Sequence, residues 1–385
     1  MLSAQYMGGI DVNELERFLA VVEFGEVDYW PLFAAHALGT PHSGGLLKLH
    51  REGLPEWVND IETWCKYWGE CTFDRAGSLG VDAPGVSREI RVEGQFEIVE
   101  YETGARTRQV LNNDLTYSMP DFQVFHVRDR KSWELYKDIN TPRRKDHAQL
   151  DSWKEQFGNR IRPLGVDCGG TWGRVRNDMG PERALLALYD SPDLVRDMIA
   201  HMLWVQEEFV FPVIEELRPE IITMWEDFCY NHGMLISPSA FREYCAPYYR
   251  RVSEIAKDCG AKLLFVDSDG KVEEFIDLLD EVGFNGLMPM EQVCGNDPLQ
   301  YRRRRPEFIF MGGIEKELAS TGNEGRIEDE LEPAVRRMLE AKGCLPMFDH
   351  ALSTNVGFME HCRCMTLLHE LCGSDKLHLG EFPRC

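Results

Sequence analysis

The sequence has no excess of basic residues, no long apolar run and no leader-like start. It contains 42 Lys and Arg and 65 Asp and Glu, which gives a formal net charge of −23 at pH 7. Such an acidic surface disfavours nucleic acid and anionic membranes as partners. No segment approaches the roughly 18 uninterrupted apolar residues of a membrane span, and the first seven residues lack the basic start and apolar core of a signal peptide. We therefore predict a cytoplasmic protein that binds neither nucleic acid nor membrane.

Internal repeats and low-complexity segments are also absent, whereas cysteine is frequent. The twelve Cys are scattered along the chain, and without a leader they indicate reduced thiols. At roughly 150 residues per domain the length allows two or three domains, or one α/β barrel with an N-terminal extension. The strand pattern favours a single barrel domain over residues 1–385.

Residues 261–291 have the pattern of one βαβ unit. The apolar run 263–266 ends at Asp267-Ser268-Asp269-Gly270, and apolar residues at helical spacing follow over 272–282. A second apolar run, 287–290, ends at Glu291. Because the strand ends of a parallel barrel lie on one face, and that face carries its chemistry, these carboxylates are candidate site residues.

The same alternation of strands and helices extends over the second half of the chain. Helices are predicted over 181–189, 192–217, 238–259 and 328–341. The predicted strands cover residues 29–33, 161–166, 221–225, 263–266, 287–290, 308–311 and 345–348. This number approaches the eight strands of a closed barrel and predicts a distorted (β/α)8 fold. Residues 87–112 alternate polar and apolar side chains around Glu102-Thr103-Gly104, which predicts an inserted β-meander.

Several short motifs together resemble the uroporphyrinogen decarboxylase superfamily, in particular its cobalamin-dependent methyltransferase branch. They are Ser118-Met119-Pro120-Asp121-Phe122, Phe125-His126-Val127-Arg128-Asp129-Arg130, Met179-Gly180-Pro181-Glu182-Arg183, Trp225-Glu226-Asp227, Ser268-Asp269-Gly270 and Phe348-Asp349-His350. The resemblance implies a distorted (β/α)8 barrel that either decarboxylates tetrapyrrole acetates or moves methyl groups to or from a corrinoid.

Two departures from the family pattern narrow this resemblance. The decarboxylases grip their substrate with an arginine-rich N-terminal motif, but residues 33–39 of this chain contain no Arg. The thiol-methylating members bind zinc through a His-x-Cys pair and a later Cys. Here the pair aligns with Val266-Asp267-Ser268, and the later Cys falls at or beside His350, so a thiolate-bound zinc is not supported.

The strand ends instead present an oxygen-rich set of side chains. It consists of Glu226, Asp227, Asp267, Asp269, Glu291 and His350. A methyl ether releases its methyl group only when a Lewis-acidic metal or a proton donor stabilises the departing oxygen. We predict Glu226, Glu291 and His350 as zinc ligands, with Asp269 as a fourth ligand or a neighbouring partner.

The remaining site residues are predicted in two groups. Asp227, Asp269 and Tyr248 are the candidate catalytic residues, and Trp225, Tyr230 and Trp172 are candidates for an aromatic substrate pocket. Each has a simpler interpretation: an acidic residue at a strand end can cap the next helix, and an aromatic residue can belong to the core.

The predicted function is transfer of a methyl group from a small methylated substrate, such as a phenyl methyl ether, to the Co(I) corrinoid of a partner protein. The corrinoid is assigned to a partner because the chain has no Asp-x-His-x-x-Gly segment. Arg302-Arg303-Arg304-Arg305 could dock an acidic partner or could be a solvated face, and a homo-oligomer is possible. The alternatives are a tetrapyrrole decarboxylase and a non-catalytic barrel that binds a corrinoid protein.

Overall fold

A computed structural model describes residues 12–34, 43–111 and 120–376. The strands of this part of the chain, in order, are β1 (Asp74–Ala76), β2 (Gly80–Val81), β3 (Arg88–Glu93), β4 (Phe96–Tyr101), β5 (Arg106–Val110), β6 (Asp121–Val124), β7 (Arg144–Lys145), β8 (Leu164–Asp167), β9 (Ile221–Trp225), β10 (Cys229–Tyr230), β11 (Gly233–Met234), β12 (Leu263–Asp267), β13 (Gly286–Met288), β14 (Ile309–Ile314) and β15 (Cys344–Phe348).

Helices separate most of the long strands. They are α1 (Glu14–Val22), α2 (Ser43–Glu52), α3 (Ile61–Trp68), α4 (Arg130–Asn140), α5 (His147–Phe157), α6 (Trp172–Met179), α7 (Pro181–Asp190), α8 (Pro192–Phe209), α9 (Phe211–Leu217), α10 (Pro238–Ala240), α11 (Ala246–Asp258), α12 (Glu273–Glu281), α13 (Pro298–Arg304), α14 (Glu324–Arg326), α15 (Glu332–Ala341) and α16 (Phe358–Cys372). Short π-helical turns join α10 to α11 and α14 to α15, and 3-10 turns lie at Gln292–Cys294 and Lys316–Ala319.

Seven parallel strands form one curled sheet in the order β1-β8-β9-β12-β13-β14-β15. The sequence of strand β12 is continuously apolar because both faces of the strand are buried. Leu263 and Phe265 belong to the cluster inside the sheet, whereas Leu264 and Val266 pack in the cluster that includes the surrounding helices. A strand buried on both faces has no polar alternation. Helix α1 covers the amino end of the interior, where Phe18 packs in the same cluster as Leu263.

The two edges of this sheet are connected through residues 32–34. The Phe33 N–H donates to Pro346 O at 3.0 Å, and the Ala34 N–H donates to Cys71 O at 2.9 Å, just before β1. The predicted strand 29–33 is therefore a single bridge residue, Phe33, paired in parallel with Cys71. The predicted α/β class is confirmed, and the sheet is consistent with a barrel. The complete (β/α)8 topology stays a prediction.

The predicted β-meander is present as an antiparallel sheet of β3, β4, β5 and β6. The first three strands fall within residues 87–112, as expected. The fourth, Asp121–Val124, was not predicted. Residues 1–11 and 112–119 lie outside the described part of the chain, as do residues 35–39 of the arginine-free segment. Of the motif that begins at Ser118, only Ser118 and Met119 are outside it. The extent of the domain stays a prediction.

One predicted helix is divided by a proline. The helix expected over 192–217 is α8 followed by α9, and Pro212 is the second residue of α9. Proline has no N–H and clashes with the preceding turn, so it is tolerated in a first turn but not in a helix interior. Among the described residues the cysteines are free thiols, and no helix is long and apolar enough to cross a bilayer.

Candidate active site at the carboxyl ends of the strands

The sheet register places the strand-end carboxylates on one edge. Asp167 is opposite Thr223, and Asp267 is opposite both Trp225 and Met288. Because side chains alternate along a strand, Asp267 projects to the same side as the interior residue Phe265. The carboxyl ends of these strands therefore surround an acidic opening, which we call the barrel mouth: Asp167, Asp227, Asp267, Asp269 and His350.

Asp267 lies at the centre of the barrel mouth. Burial raises the pKa of its carboxyl well above the ordinary value, and the negative charges of Asp269, Asp227 and Asp167 act in the same direction. His350 opposes this effect. A carboxylic acid with such surroundings keeps its proton to a higher pH than an exposed aspartate does. Asp267 is thus the side chain of the barrel mouth best suited to donate a proton.

His350 and Asp269 form a pair at the rim. Nε2 of His350 lies 3.6 Å from Oδ2 of Asp269, and the two side chains are 28% and 40% exposed. The contact with Asp269 is the largest influence on the imidazole and raises its pKa. His350 Nδ1 is buried and has no partner in the described part of the chain. The pair can hold or move a proton beside Asp267.

Two guanidinium groups partly balance the acids. Arg176 pairs with Asp227 at 2.5 Å, and its guanidinium lies 5.8 Å from the ring centre of Trp225. Arg75, in β1, is the second: burial lowers its pKa, and the charges of Asp167 and Asp267 raise it. The barrel mouth thus combines its acids with one cation paired to Asp227 and another within the electrostatic reach of Asp167 and Asp267.

Glu226, a predicted zinc ligand, is fully buried beside the barrel mouth and is already surrounded by donors. Its Oε1 accepts hydrogen bonds from the Thr171 N–H (2.5 Å), the Thr171 hydroxyl (2.6 Å) and the Tyr249 hydroxyl (3.1 Å), and its Oε2 accepts from the Gly173 N–H (2.6 Å). Burial nevertheless raises the pKa of Glu226 to about 7. The carboxylate fastens the start of α6 to the end of β9.

Glu291, the second predicted ligand, links two loops at the rim. Its Oε2 accepts from the Gly270 N–H at 2.6 Å and lies 3.6 Å from the Cys294 thiol. Its charge also contributes to the raised pKa of His350. Glu291 and His350 are therefore near the same rim, whereas Glu226 is committed to the α6 loop.

The described residues do not fit a zinc ion as they are arranged. Over residues 12–34, 43–111 and 120–376, no group of three or more His, Cys, Asp or Glu side chains is placed to hold a metal. For Glu226, one of the three proposed ligands, the reason is that its carboxylate already accepts hydrogen bonds from four donors. Zinc binding by Glu226, Glu291 and His350 stays a prediction, and no chemical step below depends on it.

The predicted aromatic and catalytic residues fall into two groups. Trp225 is half-buried at the barrel mouth, and Tyr230 is 48% exposed on the β10–β11 hairpin beside it. Trp172 is 1% exposed and belongs to the core around the helices. Tyr248 is also buried, and its hydroxyl donates to Cys168 O at 2.6 Å. Of these four, Trp225 and Tyr230 are the ones whose side chains lie at or beside the barrel mouth, and their role in binding a substrate stays a prediction.

Sequence reasoning missed three residues of this region. Asp167 follows the apolar run 164–166 in the same way that Asp267 follows its own strand, so the pattern contained its signal. Arg75 lies in β1, a three-residue strand too short for periodicity to reveal. Arg176 is one of several charged residues on α6, and only its contact with Asp227 distinguishes it.

The arginine run proposed for partner docking is largely engaged within the chain. Arg302 donates to the carbonyl oxygens of Ala341 and Lys342. Arg304 pairs with Glu273 and Asp277, and Arg305 pairs with Asp277 and Asp280. These contacts reduce the positive charge available to a partner, and docking through this run stays a prediction.

The fold defined by these elements is that of a parallel α/β barrel-like sheet with a candidate site at its carboxyl end. A methyltransferase from Methanosarcina mazei has a similar structure, with a TM-score of 0.57 and 12% sequence identity. The similarity covers 94% of this chain and 99% of that protein. At this identity it establishes a shared fold. No protein-family model and no curated protein sequence matches the chain.

Proposed function

We propose that this protein is a methyltransferase that moves a methyl group from a small methylated substrate, bound at the barrel mouth, to the corrinoid of a partner protein. The observation that carries the proposal is the half-buried Asp267 carboxyl beside the Asp269–His350 pair. It lies at the carboxyl edge of a sheet that shares its fold with a methyltransferase. In barrels of this kind, that edge holds the chemistry.

The substrate we favour is a phenyl methyl ether. Its ring would lie against Trp225 and Tyr230, whose side chains reach the barrel mouth and its rim. The bound ether oxygen would face Asp267. A substrate with many carboxylates is disfavoured, because Asp167, Asp227 and Asp269 outnumber the two nearby guanidinium groups and Arg176 is already paired with Asp227. This argues against a tetrapyrrole decarboxylase.

The protein's own contribution is to stabilise the departing oxygen. A corrinoid brought by a partner protein would supply the nucleophile that accepts the methyl group. As the oxygen–methyl bond breaks, its electron pair stays on the oxygen, which takes the proton of Asp267 and becomes a hydroxyl. The carboxylate left on Asp267 is then stabilised by Arg75 and by the protonated imidazole of His350. General acid catalysis of this type contributes typically 10²–10⁴-fold.

The test is incubation with reduced cobalamin and a panel of methoxylated aromatics, followed by the absorbance of methylcobalamin. We expect turnover with at least one ether and a loss of about 10²–10⁴-fold in Asp267→Asn. The exposed Asp190→Asn is the matched control and should retain full activity. Failure with every ether, together with retained binding of a corrinoid protein, would support the non-catalytic alternative. Full activity of Asp267→Asn would remove the proton-donor step.

A further inference from the structure

A second cavity lies outside the barrel mouth, between α4, α6 and α8. Its volume is about 200 Å³, which corresponds to roughly seven water molecules at about 30 Å³ each. It reaches Gly169 and Gly170, in the loop after β8, and its walls include Trp133, Tyr136 and Tyr248. The function proposed above makes no use of this space.

Two opposite charges on one face of α6 line the cavity without neutralising each other. Arg174 and Asp178 are four residues apart, a spacing at which oppositely charged side chains of a helix usually interact. Instead, the Asp178 carboxylate accepts a hydrogen bond from the Tyr136 hydroxyl at 2.9 Å. Within the described part of the chain, Arg174 has neither an ion pair nor a hydrogen bond, although its charge acts on Asp178, Tyr136 and Tyr248.

Two further polar groups of the cavity have partners within the chain, and a third does not. Nζ of Lys137 lies 2.8 Å from Glu134, and the Tyr248 hydroxyl donates to Cys168 O. Oε1 of Gln206, however, is buried and has no hydrogen-bond partner among the residues that the structure describes. A buried acceptor left without a donor destabilises the folded protein. A ligand with an N–H or O–H group in the cavity would remove that cost.

The charges restrict the chemistry of such a ligand. A simple anion would meet Arg174 but would be repelled by Asp178. A simple cation would meet Asp178 but would be repelled by Arg174. A neutral apolar molecule would leave both charges and the Gln206 oxygen without partners. A molecule that carries both a carboxylate and an ammonium group satisfies all three.

We infer that this cavity binds a small zwitterion of the amino-acid class, with its carboxylate on Arg174, its ammonium group on Asp178 and Gln206, and its carbon skeleton against Trp133 and Tyr136. The volume limits the ligand to the size of the smaller amino acids. None of the five residues that define the barrel mouth lines this cavity, and binding is measured without methyl transfer, so the test does not depend on the proposed function.

Isothermal titration calorimetry with alanine, threonine and γ-aminobutyrate tests this inference, and propionate and propylamine serve as half-ligands. We expect at least one zwitterion to bind at least tenfold more tightly than either half-ligand. Arg174→Gln and Asp178→Asn should each weaken that binding tenfold or more. Arg183→Gln, an exposed arginine on α7 outside the cavity, is the matched control and should bind normally.

Three results would overturn the inference. They are no binding heat with any of the three zwitterions, binding of a half-ligand as tight as that of the best zwitterion, and equal losses in Arg183→Gln and Arg174→Gln. Thermal melts monitored by circular dichroism establish that each variant is folded. If Asp178→Asn is unfolded, Arg174→Gln still decides the result, because Arg174 is exposed and has no hydrogen bond or ion pair within residues 12–34, 43–111 and 120–376.

Discussion

Glu226→Gln separates a structural role of this residue from the predicted zinc-binding role. Glutamine keeps the volume and one acceptor oxygen. In the best orientation of the glutamine, its oxygen still accepts from the Thr171 and Tyr249 donors. Its amide NH₂ group then replaces Oε2, which in the wild type accepts from the Gly173 N–H at 2.6 Å, and two donors face each other. A buried donor without an acceptor costs about 1–3 kcal/mol.

The expected shift in melting temperature follows from the length of the chain. An unfolding entropy of about 2.1 cal/mol/K per residue gives roughly 0.8 kcal/mol/K for 385 residues, so the Tm should fall by about 1–4 °C. The measurement is differential scanning calorimetry at pH 8, where Glu226, with a pKa of about 7, is mostly ionised in the native protein. The zinc content of the purified protein is measured on the same samples.

Glu291→Gln is the comparison variant. Its carboxylate accepts one backbone N–H, that of Gly270, and is partly exposed, so we expect a smaller loss of stability. If Glu226 fastens α6 to β9, Glu226→Gln lowers the Tm and leaves the metal content unchanged. An unchanged Tm together with loss of bound zinc would refute this reasoning and would support Glu226 as a ligand.

Three further predictions concern a buried acid, a buried hydroxyl and the pH dependence of activity. Glu70 is buried with the Trp64 indole N–H as its donor at 2.8 Å, and burial raises its pKa from 4.5 to about 8. Because the native state holds this proton more tightly than the unfolded state, stability should fall as pH rises from about 4.5 to 8. At about 1.4 kcal/mol per pH unit, the total is about 5 kcal/mol. The measurement is urea unfolding at several pH values. The decrease of the unfolding free energy with pH should be smaller in Glu70→Gln and unchanged in the exposed Glu56→Gln. The same pH dependence in the wild type and in Glu70→Gln would contradict the prediction. Tyr248→Phe should lower stability by about 1–3 kcal/mol, because the buried Cys168 O loses this donor, with methyl transfer unaffected; a large loss of kcat would instead support the predicted catalytic role. Methyl transfer should decline as pH rises through the raised pKa of Asp267, and a pH profile without this decline would exclude that residue as the acid.

The sequence alone predicted the parts of the fold that depend on local pattern. Apolar runs such as 263–266 marked strands buried on both faces, and the alternation within 87–112 marked a half-exposed antiparallel sheet. Because parallel strands end on one edge, the acids after those runs were expected to meet. The structure places Asp267, Asp269 and His350 near one another, as that rule requires.

Tertiary structure decided the direction of each side chain and the identity of its partners. Glu226 and Asp267 both lie at the carboxyl end of a strand. The Glu226 carboxylate, however, accepts hydrogen bonds from Thr171 and Gly173, about fifty residues earlier in the chain. Arg75 reaches the barrel mouth only because a three-residue strand pairs with β8. Sequence spacing specifies which residues come to the edge of a sheet. It does not specify which backbone N–H or guanidinium group another segment will bring there, because that depends on how distant segments pack.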